Sequence, residues 1–261
     1  MEIKQRIWLG LGIMLATSTA FYAGTRQGGM DHDMAVMTEE GGEGGEGATT
    51  VEAIDSTAAY LAQLSFIRGH LNVGVNLYRE NALDASATHM KHPTDELYTS
   101  LEPALLARGA KGFAPQLEAL AVAVEQQQGA AAVEAAYANL LEAISQAEAA
   151  VKDVDATTVA AVIVDLVRTA AAEFDIAVGE GGVLENEHEY QDALGFVRTA
   201  SEWLPKLAAL TRNADAVAAI ETQIALLLPV WPGLRAPQRL ETAPSVIYGA
   251  AARIEFAALK L

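Results

Sequence analysis

From residue 56 to the C-terminus the apolar residues recur at helical spacing and almost nowhere alternate, which restricts the chain to an all-α fold. Segments over 56–80, 94–108, 116–127, 130–151 and 156–179 carry the pattern. They are built from Ala, Leu, Glu, Gln and Val, most of which lose little side-chain freedom in a helix. Gly109, Gly112, Gly129 and the cluster Gly179-Glu180-Gly181-Gly182 fall between these segments, where stops belong. Pro93 suits a first helical turn, whereas Pro103 and Pro205 should each kink or end a helix. Pro229, Pro232, Pro237 and Pro244 mark a broken connection before a last helix over 245–260.

The helical stretch also aligns with itself. At a shift of 100 residues Leu64-Ser65-Phe66-Ile67-Arg68 meets Val164-Asp165-Leu166-Val167-Arg168, and Glu80 meets Glu180. After a four-residue deletion in the second half the shift becomes 96, His92 meets His188, Glu96 meets Asp192, and His89-x-x-His92 overlays Glu185-x-x-His188. The expectation is two tandem repeats, 53–150 and 151–261, each about the size of a four-helix bundle.

Chemistry-bearing residues sit on this overlay. Residues three apart project from one face of a helix, so Glu185 and His188 can present a carboxylate and an imidazole to one metal ion. His89 and His92 offer two imidazoles in the equivalent place, with Glu96 four residues past His92. Pro93 disfavours helical geometry at His92, which leaves open that this pair lies in the turn leading into a helix rather than on it. His89, His92 and Glu96 then form a first metal site, and Glu185, His188 and Asp192 a second, or all six share one.

The first helix of each repeat adds a partner. His70 has Phe66, Val73, Gly74 and Leu77 at its helical neighbours, so it faces a core, and Glu173 occupies the position equivalent to Val73. Taken alone, a hydrogen-bonded core histidine and a glutamate at a helix edge are the plainer readings of these two. Gly69 and Gly74 allow another helix or a ligand close approach. Glu187 and Glu189 are accounted for by the preference of helix starts for acids, and Trp203, Trp231, Tyr60, Tyr78 and Tyr98 by core packing.

Ahead of the helices, Lys4 and Arg6 precede an apolar run over 7–16, and Ser18-Thr19-Ala20 supplies the small residues a signal peptidase reads. The expectation is a signal peptide over 1–20, with an uncleaved membrane anchor as the alternative. Residues 21–52 have no hydrophobic period and include a run of glycine and glutamate, as a disordered acidic tether would. Within it, Met30-Asp31-His32-Asp33-Met34-Ala35-Val36-Met37 reads first as linker and second as a tract able to wrap a copper ion.

Composition removes several functions. With no cysteine there are no disulfides, thiolate metal sites or cysteine nucleophiles. Seventeen basic against 34 acidic side chains, a formal charge of −17, disfavour a nucleic-acid partner, which is held by Lys and Arg. No nucleophile elbow, phosphate loop, dinucleotide fingerprint or zinc-protease helix signature is present.

The export signal, the acidic Ala-rich helical body, the paired bundle-like repeats and a His/Glu cluster near the start of each resemble the imelysin-like family of bacterial exported proteins, some linked to iron uptake. The resemblance covers organisation over about 53–261. The family's Gly-x-His-x-x-Glu motif is absent, since Gly69-His70 lacks the spacing and His92-Pro93-Thr94-Asp95-Glu96 lacks the glycine. The preferred expectation is a periplasmic, non-enzymatic protein that binds a transition-metal ion, iron first and copper or zinc next, with a membrane transporter or envelope protein as partner. A helical scaffold with structural histidines is the alternative, and a di-metal oxidase or metallohydrolase the third.

Overall fold

The computed structural model describes residues 56–261, apart from the side chains of residues 94–96. The expected signal peptide, tether and Met30–Met37 tract lie outside the described residues.

The fold is all-α. Helices α1 (Thr57–Arg79), α2 (Leu83–His92), α3 (Thr99–Ala107), α4 (Ala114–Glu125) and α5 (Ala130–Ala149) come first, with a π-helical turn (Pro93–Tyr98) between α2 and α3. They are followed by α6 (Ala156–Ala177), α7 (Glu187–Glu202), α8 (Leu204–Leu210), α9 (Ala214–Leu227) and α10 (Pro244–Ala258). Ser56, Asp155, Asn186 and Asn213 cap α1, α6, α7 and α9, each side-chain oxygen accepting from a backbone N–H that the helix itself leaves unpaired.

Helix α1 packs on α2 and α5, and α4 closes the ring by touching both. In the second region α6 packs on α7 and α10, and α9 touches both of those. The two rings meet where α1 lies against α6 and α7, and one apolar core runs through both. This explains why α1 and α6 are apolar nearly all round: Tyr60, Leu64, Ile67, Leu71 and Leu77 on α1, and Val159, Ile163, Leu166, Val167 and Phe174 on α6, are all buried. Helix α7 is likewise buried on every side from Glu189 to Val197, whereas α4, α5, α9 and α10 each bury one face.

Helix boundaries follow the sequence pattern closely, and one point that the pattern left open is decided by packing. Pro93 does not detach His92 from a helix; His92 is the last residue of α2 with helical dihedrals (φ −50°, ψ −52°), and Pro93 opens the π-helical turn that continues the chain. Proline's lost N–H costs least at such a first turn, and the packing of α2 on α1 and α4 outweighs the local bias against helix before proline. Pro103 lies inside α3, where its missing hydrogen bond falls at the junction with the π-helical turn. Pro205, as expected, marks a break, standing in the first turn of α8 after α7 has stopped at Glu202. Among the described residues no helix is long and apolar enough to cross a membrane.

Candidate metal centre

His70, His89, His92, His188 and Asp192 come from three helices to one place. His70 is midway along α1, His89 and His92 occupy the last turn of α2, and His188 and Asp192 are one turn apart at the start of α7. Close backbone approach makes this possible. A Cβ added at Gly195 would stand 2.7 Å from the Gly69 carbonyl oxygen, and one at Gly69 would stand 2.7 Å from the Phe196 ring, so α1 and α7 meet where neither has a side chain. On the other flank Gly74 lies under Met90 and the His89 Cβ, and the Ser86 hydroxyl donates to the Gly74 carbonyl over 2.7 Å, drawing α2 onto α1.

The carboxylate of Asp192 is the hub. His70 Nδ1 donates to its Oδ1 over 2.6 Å, His89 Nδ1 stands 3.0 Å from the same oxygen, and His188 Nε2 stands 3.1 Å from Oδ2. His70 and His89 are fully buried and Asp192 is 1% exposed, whereas the His188 side chain keeps 19% of its surface and His92 is half-buried. The rings of His89 and His188 stack at 4.2 Å between centroids, and those of His70 and His92 lie 4.6 Å apart. The centre is thus closed at the His70 end and reaches solvent along His188 and His92.

Gln191 fixes the tautomer of His89. Its amide nitrogen donates to the Leu234 carbonyl over 3.0 Å, so its oxygen must be the atom 2.8 Å from His89 Nε2, and that ring nitrogen carries the proton. In the neutral ring Nδ1 then carries a lone pair, turned toward the Asp192 carboxylate. The connection that holds Gln191 is itself anchored: Tyr190 donates to the Gly233 carbonyl, Trp231 Nε1 to the Tyr190 carbonyl, and the Ala236 N–H to Glu187.

Two buried nitrogens, His89 Nδ1 and His188 Nε2, make no hydrogen bond although each is within 3.1 Å of an Asp192 oxygen. Such orphans are rare in native interiors. Burial, followed by the charges of the neighbouring histidines, overcomes the pull of Asp192 and lowers the His188 pKa to about 4, so this ring is neutral at pH 7. Burial alone would raise the Asp192 pKa, but the imidazoles of His70 and His89 hold its carboxyl well below the usual carboxylate range. A neutral His188 nitrogen facing an ionised carboxylate is the pair of protonation states a transition metal requires. Donors about 2.1 Å from a common ion stand about 3.0–3.4 Å from one another, the spacing found here between nitrogen and oxygen. The residues present therefore fit a metal ion, and His70, His89 and Asp192 offer donor atoms all within 4.8 Å of one another.

Of the other residues singled out in the sequence, Glu185 is exposed and lies over Gly179, away from the centre. Glu173 is buried on α6, where its charge is felt by the Tyr248 hydroxyl of α10. The Glu96 side chain lies outside the described residues. Glu189 is buried beside Asn186, and Trp203, Trp231, Tyr60 and Tyr98 are buried in the core. Gln191 was visible in the sequence only as one acceptor among several near His188; its role depends on Leu234, 43 residues away.

The described chain is thus all-α, with a buried histidine–carboxylate cluster between two helical rings. A family model for an iron permease-associated four-helix bundle domain matches residues 152–259, the span of α6 to α10. Over that span the chain is similar to a helical, iron-related family, and this replaces the imelysin-like resemblance suggested by organisation. No curated protein and no solved structure matches the chain.

Proposed function

We propose that this protein binds a transition-metal ion, iron foremost, at the centre formed by His89, His188 and Asp192, with His70 and His92 beside them, and serves iron uptake without itself being an enzyme. The observation that carries this reading is the pair of buried nitrogens turned, without a hydrogen bond, toward one carboxylate. A polar cluster this deep is costly unless something binds its lone pairs, and a cation does so. Similarity to an iron permease-associated bundle supports iron as the ion and a membrane permease as the partner. The donor set also suits zinc and copper. Export to the periplasm rests on the signal-peptide pattern, and the charge of −17 concentrates cations around the protein.

The two rings are two copies of one bundle in this reading. His92 and His188, equivalent in the repeat, both border the cluster, and their rings lie 5.8 Å apart. Glu96, the counterpart of Asp192 in the repeat, stands four residues past His92, while Glu185 is exposed over Gly179 and Glu173 is buried on α6.

The test is elemental analysis of the purified protein together with its melting temperature on adding Fe(II) or Zn(II). One ion per chain and a rise in melting temperature are expected, because an ion held only by the native state stabilises it. Both should be lost in the His89→Ala/His92→Ala variant and weakened in His188→Ala. Metal content and melting response unchanged in all variants would leave the histidines structural.

A further inference from the structure

We infer that the centre takes its ion in the divalent state, ferrous rather than ferric; this rests on the metal-binding reading above. His89, His188 and Asp192 make up two imidazoles and one carboxylate, the donor combination of non-haem ferrous sites. Ferric iron is a harder, more highly charged ion that favours several anionic oxygens. The acids and phenol nearest in sequence to Asp192 are turned to other tasks. Glu187 accepts from the Ala236 N–H, Glu189 from the Asn186 amide, Glu185 is exposed over Gly179, and Tyr190 donates its hydroxyl to the Gly233 carbonyl.

Charge gives the same answer. With Asp192 the one carboxylate at the centre among the described side chains, a divalent ion keeps a single uncompensated positive charge, and a trivalent ion two. The cluster is buried at its inner end, where the Phe196 ring meets His70 edge-on at 5.1 Å and His70, His89 and Asp192 are shut off from solvent. Uncompensated charge is costly in such surroundings, and the cost rises steeply with its magnitude.

The experiment titrates the full chain anaerobically with Fe(II), Mn(II) and Zn(II), and separately with Ga(III), which has the charge and radius of ferric iron and is not reduced. Binding at the centre is the component lost in His89→Gln and in the rim variant His188→Ala, with circular dichroism reporting whether each is folded. The expected result is one Fe(II) per chain, Zn(II) at least as tight, and Ga(III) weaker than Fe(II) by about 100-fold or more. The same order is expected in Glu96→Gln. Ga(III) within tenfold of Fe(II), with both lost in the variants, overturns the divalent assignment and leaves the metal centre standing. Fe(II) binding weakened tenfold or more in a folded Glu96→Gln overturns Asp192 as the sole carboxylate. Absence of any variant-sensitive binding overturns the centre itself.

Discussion

The two helical rings contribute unequally to what they jointly build. The second, over 152–259, is similar to an iron permease-associated bundle and supplies the carboxylate, one imidazole and the glutamine that orients another. The first lies outside that match and supplies three imidazoles, of which His70 and His89 are the most deeply buried. Among the described side chains the centre's carboxylate comes from the second ring and three of its four imidazoles from the first, so an ion held by His89, His188 and Asp192 would bridge the two and exert its binding energy on the α1–α7 and α2–α7 contacts. The function proposed here would belong to the seam between the two rings.

The largest effect should come from the hub. Asp192→Ala removes the charge that faces three imidazoles and leaves the His70 N–H without its acceptor; unfolding in urea should show a loss of about 3–5 kcal/mol, with no metal-dependent rise in melting temperature. Next is the seam itself. A Cβ in Gly195→Ala meets backbone at the Gly69 carbonyl, which cannot rotate away, so α1 and α7 must part. A destabilisation of about 1–3 kcal/mol is expected, and metal affinity should fall although no donor has changed. Wild-type affinity in this variant would show that the first ring's histidines do not depend on the close approach.

Gln191→Leu sharpens the comparison from the second ring's side, since it frees His89 Nε2 while leaving every donor in place. Metal affinity is expected to drop about 10–100-fold, measured by chelator competition, with little change in the fold. Acidity probes the ion-free centre. The folded-state pKa of His188 is lowered from 6.5 to about 4, so the unfolded chain binds the extra proton first. The stability this ring contributes is complete above pH 6.5 and is lost as the pH falls toward 4; urea midpoints of the metal-free protein should fall over that window, less steeply in His188→Gln. The smallest effect belongs to Arg68, which bonds Glu148 across α1 and α5 at 2.8 Å within the first ring. Arg68→Ala should cost about 1 kcal/mol or less and leave metal affinity unchanged.

Much of this molecule was readable from residues alone. Helix periodicity is a local property, so α1, α4, α5, α6 and α10 fall within a few residues of the segments the apolar spacing marks. The self-alignment paired His92 with His188, and these two rings do border one cluster. Local rules left open whether His92 before Pro93 is helical, and packing decided it. They also missed Gln191, because its partner on the 231–236 connection is remote in sequence and has no motif.

The sequence by itself determined the all-α class, the places where helices stop, the acidic charge, and a short roster of imidazole and carboxylate groups at helical spacing. Which of those groups meet was decided by the tertiary structure. Spacing along a helix sets only which face a side chain shares with its neighbours, and it selected Glu185 and Asp192 equally well as companions of His188. The packing of α1 against α7 through Gly69 and Gly195 turned Asp192 inward among the histidines and left Glu185 in solvent over Gly179.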